Sequence, residues 1–441
     1  MSSDPALHID ERHVRRNVIG GYIGRAAPIL VGLVTAPILT RYLDKDAFGY
    51  WTIVMGIVAV VPVGDLGVGA ALTVRLAQAL GKGKTGEARR VVAAGLFLQI
   101  LLGLAMAALC AAVIPLIPWA EMLHVKKEST AAVAMPTAFV MFVSYCLLVP
   151  LNVGQQILIA YQENVRNSLV TSLGYVTNLV FTVVFVALKL PLPWIAFAAA
   201  GMPGIVWLAN DIVELKLRKK ELWPLRRTDW DPELAKDLLR MGLKFLGSQT
   251  FRVFLLSDTI IIGLTISAGA AALYGQTQRF FFICSMGQYV ANAWTPALAG
   301  SFARNEEDKA LGFFRKQLFK FLGGTLLLGL ILAPAIRIFL PWYLGPEYAA
   351  PGWDLVGGFV VWIVVWTLVD GMTAYASAGH YLKSHFIWLL AATVAATAAK
   401  FALAPQFGYN GIVWSSVACL GLIYGVPMLI RTRFFARRAA T

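Results

Sequence analysis

The chain has 441 residues, of which 58% are hydrophobic and 14% charged, and its mean hydropathy is +0.68. This composition lies far outside the range of soluble globular domains and predicts a polytopic membrane protein. The formal net charge of +14 does not call for a nucleic-acid partner, because cytoplasmic loops of membrane proteins collect Lys and Arg.

Twelve apolar segments are long enough to cross a membrane and are separated by Gly, Pro or charged residues, which predicts twelve membrane spans. They cover approximately residues 17–40, 47–74, 90–117, 131–155, 167–189, 192–215, 239–266, 268–303, 314–341, 352–378, 384–405 and 409–432. With the N-terminus inside, the inner segments hold 27 Lys and Arg and the outer segments hold 7, Lys400 being counted as outer. This bias predicts that both termini are cytoplasmic.

The basic loop between spans six and seven divides the chain into two halves of six spans, which predicts two six-helix bundles. The halves echo one another, since Ala47-Phe48-Gly49-Tyr50 at span two matches Ala271-Ala272-Leu273-Tyr274 at span eight. The predicted fold class is therefore an all-α membrane protein with two pseudo-symmetric bundles related by an axis along the membrane normal. The predicted parts are a cytoplasmic segment 1–16, an N-lobe 17–215, a basic linker 216–238, a C-lobe 239–432 and a cytoplasmic tail 433–441.

Span one carries a charge, Arg25, at roughly 10 Å from its inner end, which is too deep for a flanking anchor. Arg25 shares a helix face with small residues, so it is expected to look into the protein or into a water-filled cavity. The alternative is an arginine that snorkels to the headgroups or forms a structural ion pair. The repeat gives Arg25 a counterpart in span seven, Arg252, and Lys244 continues the line of Arg252 toward the cytoplasm.

Further polar residues within the spans form three sets of candidates. Arg279 in span eight is a fourth cation that could face a central cavity. Asp65 and Asp258 each either pair with an arginine or serve an ion-coupling role. Aromatic and amide groups in span eight suit the C–H faces and hydroxyls of a sugar, or else bind neighbouring helices together; they are Tyr274, Gln276, Gln278 and Asn292.

The sequence shows no hydrolase triad, P-loop, paired catalytic carboxylates or metal-ligand spacing. We therefore expect a transporter without catalytic residues, metal or cofactor. A membrane glycosyltransferase or polymerase is a less favoured alternative. Such an enzyme would be expected to carry its catalytic groups on a large outer loop, and the predicted spans leave only short outer loops.

The region 48–90 resembles the start of Wzx-type polysaccharide flippases of the multidrug, oligosaccharidyl-lipid and polysaccharide (MOP) exporter superfamily. The resemblance is carried by Phe48-Gly49-x-Trp51, by Asp65-Leu66-Gly67 and by the short basic loop after span two, and the layout of six plus six spans extends it to the whole chain. It implies two helical bundles that alternate between inward-open and outward-open forms. It also implies that Arg25 and Arg252 hold pyrophosphate, since they match arginines of related flippases by helix and depth.

The resemblance implies export of a polyprenyl-pyrophosphate-linked oligosaccharide across the bacterial inner membrane for O-antigen, capsule or exopolysaccharide synthesis. Membrane lipids, a polysaccharide polymerase and the chain-length machinery are the other expected partners. Coupling to the membrane potential, to H⁺ or to Na⁺ stays open. A lipid II flippase ranks second, because such flippases have two additional helices and this chain ends after twelve spans, and a cation-coupled multidrug exporter is a further alternative.

Overall fold

The computed structural model describes residues 11–58, 65–223, 231–255, 257–284, 294, 298, 301–302, 306–345, 348–379, 381–432 and 434. Side chains are described from residue 27 onward, apart from 244–255 and 283–284. Within this part of the chain all regular secondary structure is helical.

The α-helices are numbered here in chain order. They are α1 Glu11–Tyr42, α2 Lys45–Val58, α3 Val68–Gly81, α4 Thr85–Val113, α5 Trp119–Met122, α6 Glu128–Leu148, α7 Val153–Ala160, α8 Asn164–Ala187, α9 Leu192–Ala200, α10 Pro203–Ile212, α11 Pro232–Leu255, α12 Asp258–Thr265, α13 Ala268–Cys284, α14 Glu307–Leu344, α15 Trp353–Ala378, α16 Leu382–Ala418 and α17 Val426–Arg431. Short 3₁₀ or π-helical turns occupy Ile114–Leu116, Pro150–Asn152, Val213–Arg218, Lys220–Leu222 and Cys419–Gly425.

Seven helical stretches in the described residues are long and apolar enough to cross a membrane. They coincide with eight of the predicted spans, because the stretch Leu382–Arg431 is 50 residues long and contains both span eleven and span twelve. Gly408 interrupts that stretch with φ 59° and ψ −148°, a conformation that glycine tolerates and other residues rarely adopt. The protein is thus a multi-pass membrane protein.

The four remaining predicted spans, one, two, seven and eight, coincide with helices that are divided or only partly described. Span two is split between α2 and α3, and Gly67 stands before α3 with φ 73°. A Cβ atom on Gly67 would lie 2.3 Å from the carbonyl oxygen of Gly242 in α11, so only glycine fits this close approach. Span seven is split between α11 and α12. Four of the polar candidates, Asp65, Lys244, Arg252 and Asp258, therefore belong to these two divided spans.

Contacts divide the chain into two compact units. The first takes the described residues of Met1–Tyr42, Ile57–Glu121 and Lys126–Thr250. Here α1 packs along α8, α3 packs against α4 and α7, and α6 packs against α4 and α9. Leucines and valines of α3, α4 and α7 form a fully buried cluster, whereas the outer faces of α4 and α8 expose large apolar side chains that suit lipid contact, such as Leu104, Leu109, Leu173 and Val180.

The second unit takes the described residues of Leu43–Gly56, Met122–Val125 and Phe251–Thr441. Its central helix is α15, whose most apolar window is 72% buried, against 22% for the corresponding window of α14. The α15 residue Phe359 stacks on Phe281 and contacts Tyr274, so α13 packs tightly against this central helix.

The two units do not follow the predicted lobes along the sequence. The segment Leu43–Gly56, predicted in the N-lobe, groups with the second unit, and α11 as far as Thr250, predicted largely in the C-lobe, groups with the first. The predicted linker 216–238 also ends in helix, because α11 begins at Pro232. The boundaries between the units fall within α2, after Gly56, and within α11, after Thr250, so each of these helices contributes residues to both units.

Candidate functional site

A cavity of about 310 Å³ lies within the second unit, between α2, α12 and α13. These helices approach one another closely at three glycines. A Cβ atom on Gly49 would lie 2.0 Å from the carbonyl oxygen of Ala268, and one on Gly56 would lie 2.8 Å from the hydroxyl of Thr259. A Cβ atom on Gly263 would lie 2.5 Å from a methyl carbon of Ile53. The cavity is lined by Trp51, Thr52, Met55, Gly56, Thr259, Gly275, Gln276, Gln278, Arg279 and Phe282.

Two buried polar groups on the cavity wall lack a hydrogen-bond partner among the described residues. The indole Nε1 of Trp51 is one, on a side chain that is 5% exposed, and the amide Oε1 of Gln276 is the other, on a side chain that is 1% exposed. Buried polar groups in native proteins normally have a partner, so an N–H donor and an amide facing a cavity favour a polar ligand or water there. Both belong to helices whose positions are fixed by the glycine contacts.

The cavity wall carries a positive charge. Arg279 lines it, and none of the ten lining residues, all of which are described, is acidic. A guanidinium stays protonated when partly dehydrated and offers a planar set of donors to phosphate or carboxylate oxygens. The cavity is therefore suited to an anionic group more than to a cationic one.

Next to the cavity lies a fully buried ionic cluster. The Nζ atom of Lys400 in α16 lies 2.5 Å from Oδ1 of Asp258, and both side chains are 0% exposed. The Oδ2 atom of Asp258 accepts hydrogen bonds from the Tyr274 hydroxyl at 2.6 Å and from Gln278 Nε2 at 2.9 Å. Gln278 belongs both to this cluster and to the cavity wall. Asp258 begins α12, where the helix dipole also favours a negative charge.

Lys400 is the clearest correction to the sequence analysis. It was counted with the outer side of the membrane, but it lies inside α16 and is buried against Asp258. The partner of Asp258 is thus a lysine rather than the arginine considered as the structural alternative. A lysine within an apolar run, here ATAAKFALA, was the sequence signal for a buried charge.

The other acidic candidate, Asp65, caps a helix. Its Oδ1 accepts the backbone N–H of Gly67 at 2.6 Å, and its Oδ2 accepts that of Gly69 at 3.1 Å. These bonds satisfy donors at the start of α3, which otherwise have no intrahelical acceptor. Asp65 therefore belongs to the break in span two and does not line the cavity.

The remaining candidates divide into those that the structure places and those outside its described part. Gln276, Gln278 and Arg279 line the cavity, whereas Tyr274 is fully buried in the Asp258 cluster. The backbones of Arg25, Lys244 and Arg252 lie in α1 and α11, but their side chains fall outside the described residues, as does the whole of Asn292. The sequence analysis missed several lining residues, of which Trp51 carried a signal as part of the Phe48-Gly49-x-Trp51 motif.

Comparison with solved structures shows the fold. An inward-facing multidrug resistance MATE family transporter of the MOP superfamily matches with TM-score 0.76 at 16% identity, over 96% of this chain and 100% of that one. An outward-facing MATE transporter of that superfamily matches with TM-score 0.63 at 19% identity, over 96% of both chains. A MOP superfamily transporter from Pyrococcus furiosus, described as having a binding pocket of reverse polarity, matches with TM-score 0.63 at 17% identity, again over 96% of both.

Comparison with curated proteins finds no significant match. A family model described as polysaccharide biosynthesis protein matches residues 14–302, which is more than half of the chain and includes α2, α12, α13 and the cavity between them. The all-helical fold, the membrane-crossing helices and this match agree with one another. The chain belongs to the polysaccharide biosynthesis protein family and has the fold of the MOP superfamily transporters.

Proposed function

We propose that this protein is a flippase that moves a polyprenyl-pyrophosphate-linked oligosaccharide from the cytoplasmic to the outer leaflet of the bacterial inner membrane, with both of its termini in the cytoplasm. The family match and the transporter fold support export of a saccharide-linked lipid. The observation that carries the proposal is the cavity beside α13, which presents Arg279 and no acidic side chain among its lining residues.

The chemistry of the cavity matches the part of this substrate that hydrocarbon cannot accept. A diphosphate cannot cross the bilayer core without compensation of its charge, whereas the prenyl tail is stable in lipid. Arg279 can form charge-assisted hydrogen bonds with the phosphate oxygens, and the N–H of Trp51, which has no partner in the described part of the chain, is a further donor in the same cavity. At about 310 Å³ the cavity is at the small end of ligand pockets, which suits a headgroup better than a whole oligosaccharide.

Arg25 and Arg252 are further proposed contacts of the diphosphate during alternating access. Their backbones lie in α1 and α11, the helices that carry spans one and seven. A diphosphate with about two negative charges gains roughly 4 to 5 kcal/mol when it moves outward across an inside-negative potential of ~100 mV. The membrane potential could thus supply direction, and transport in liposomes that is insensitive to an imposed potential would argue against this source of drive.

A cation-coupled drug exporter with the same fold is the alternative that the cavity disfavours. A cationic drug would prefer acidic walls, whereas the only charged residue among the ten lining residues is Arg279. The Pyrococcus furiosus relative, whose pocket polarity is described as reversed, is a precedent for a MOP fold with a different pocket charge.

The test is complementation of a polysaccharide-producing strain that lacks its own flippase, at matched membrane abundance of each variant. Arg279→Ala should lower surface polysaccharide and accumulate lipid-linked oligosaccharide in the inner leaflet, because one charge-assisted contact is removed. Loss of about 1.5 to 3 kcal/mol of binding free energy from this contact corresponds to a transport rate roughly 10- to 100-fold lower. Arg279→Lys should retain part of the activity, since it keeps the charge but loses the planar fork.

The matched control is Arg240→Ala, which removes an exposed arginine of α11 that does not line the cavity. It should complement as well as the unmutated chain. Wild-type activity of Arg279→Ala would refute the role of the cavity, and export of a cationic drug in place of the lipid-linked sugar would refute the substrate class.

A further inference from the structure

The buried cluster around Asp258 has a composition that distinguishes it from a site for a free metal ion. Asp258 receives the ammonium of Lys400 on one carboxylate oxygen and two neutral donors, Tyr274 and Gln278, on the other. Metal ions such as Na⁺ or Ca²⁺ need several oxygen ligands, whereas an ammonium and an amide N–H₂ only donate. Among the described residues, no group of three or more His, Cys, Asp or Glu side chains could hold a metal ion.

Burial makes a positive partner necessary for an ionised Asp258. Its side chain and that of Lys400 are both 0% exposed, and an isolated carboxylate in such a place loses several kcal/mol of hydration free energy. Because Lys400 supplies a charge of equal size at 2.5 Å, the pair is neutral as a whole. Removing one member would leave the other as a buried, uncompensated charge.

The pair of Asp258 and Lys400 lies directly behind the wall of the cavity. Tyr274 and Gln278 are four residues apart on α13, so they lie on one face of that helix, and Gln278 also lines the cavity. A bare carboxylate at Asp258 would stand one hydrogen bond behind the cavity wall, where it would offset the positive charge of Arg279. Neutralisation by Lys400 therefore keeps the cavity basic.

We propose that Lys400 is a tethered counter-cation: it occupies the place that an exogenous monovalent cation would otherwise take beside Asp258, so that this position requires no Na⁺ or K⁺. The inference stands apart from the proposed substrate, since it concerns only the cation requirement of the folded protein. It implies that deletion of the ammonium leaves the Asp258 carboxylate uncompensated, so that a monovalent cation binds there with water supplying its further oxygen ligands.

The test measures the apparent Tm of the purified protein in detergent as NaCl replaces N-methyl-D-glucamine chloride at constant ionic strength. For the unmutated chain, Tm should not change with Na⁺. For Lys400→Met, which keeps most of the side-chain volume without the charge, Tm should be lower. It should then rise saturably by at least about 1 °C between about 1 and about 300 mM Na⁺, because a ligand that binds only the folded state stabilises it.

The matched control is the double variant Asp258→Asn with Lys400→Met, which removes both charges. It should be more stable than Lys400→Met alone in the absence of Na⁺ and should show no Na⁺ response. A saturable, Na⁺-specific rise in the Tm of the unmutated chain would overturn the proposal, and this measurement is informative even if Lys400→Met does not fold. Equal Na⁺ responses of the single and double variants would also overturn it, because the site would then not be at Asp258.

Discussion

Gly49→Ala tests whether the contact between α2 and α13 positions the cavity. A Cβ atom at Gly49 would lie 2.0 Å from the carbonyl oxygen and 2.3 Å from the carbonyl carbon of Ala268, and 2.9 Å from the backbone nitrogen of Gly269. All three are backbone atoms, so no rotation of a side chain can relieve the overlap. The helices must separate by about 1 Å, which costs packing contacts along their whole interface.

The size of the destabilisation by Gly49→Ala follows from two opposing effects. Overpacking of a tight interior typically costs about 1–3 kcal/mol, and the overlap here is with rigid backbone, so the upper part of that range applies. The better helix propensity of alanine returns about 1 kcal/mol at most. We expect a fall in apparent Tm of roughly 1 to 3 °C, because the unfolding entropy of a chain of this length is large. Displacement of α2 should also move Trp51 and reduce complementation by the variant.

The assay compares Gly49→Ala with Gly324→Ala by thermal unfolding in detergent and by complementation at matched membrane abundance. Gly324 lies inside α14, and a Cβ atom there would have no neighbour within 4 Å. The control substitution should leave Tm unchanged or raise it, because alanine stabilises a helix relative to glycine. A Gly49→Ala variant with the Tm and activity of the unmutated chain would refute the reasoning.

Two further predictions concern ion pairs of the first unit. Burial raises the pKa of Glu163, but the hydrogen bonds and charges of Lys219 and Arg218 outweigh this and lower its pKa below the usual 4.5. A lowered pKa in the folded state stabilises the protein above pH 4.5, and the stabilisation is lost as pH falls through the lower value. Glu163→Gln should therefore flatten the decline of Tm between about pH 6 and pH 3, and an unchanged slope would contradict this account. The pair of Arg75 and Asp237 joins α3 to α11, but both side chains are more than one-third exposed. A double-mutant cycle with Arg75→Ala and Asp237→Ala should give a coupling below about 1 kcal/mol that weakens with salt, and a coupling above about 2 kcal/mol would contradict it.

Local pattern was sufficient to identify most of the membrane-crossing helices. Eight of the twelve predicted spans coincide with long apolar helices, such as Asn164–Ala187 for the predicted 167–189. The predicted spans two and seven were correct in place but not in continuity, because their breaks depend on tertiary contacts. At Gly67, for example, the break accompanies a close approach to the backbone of Gly242, which lies far away in the sequence.

The sequence predicted which types of residue form the candidate site, but not which of these residues contact one another. Span eight was recognised as polar and aromatic, and three of its candidates, Gln276, Gln278 and Arg279, line one cavity. The sequence could not separate these from Tyr274, whose hydroxyl is directed to Asp258 instead. The proposed repeat relates α2 to α13, and the structure adds that these two helices meet at Gly49 and Ala268.

The sequence by itself determined that this is a helical membrane protein and which segments form most of its membrane-crossing helices. It also determined that charges within the spans need compensation. It did so because the thickness of the bilayer and the satisfaction of backbone hydrogen bonds are requirements on each segment alone. Only the tertiary structure decided that Lys400 compensates Asp258 and that Trp51 shares a cavity with Arg279. These pairings join different helices, and the free energy that fixes them arises from burial and charge in three dimensions, which no single segment contains.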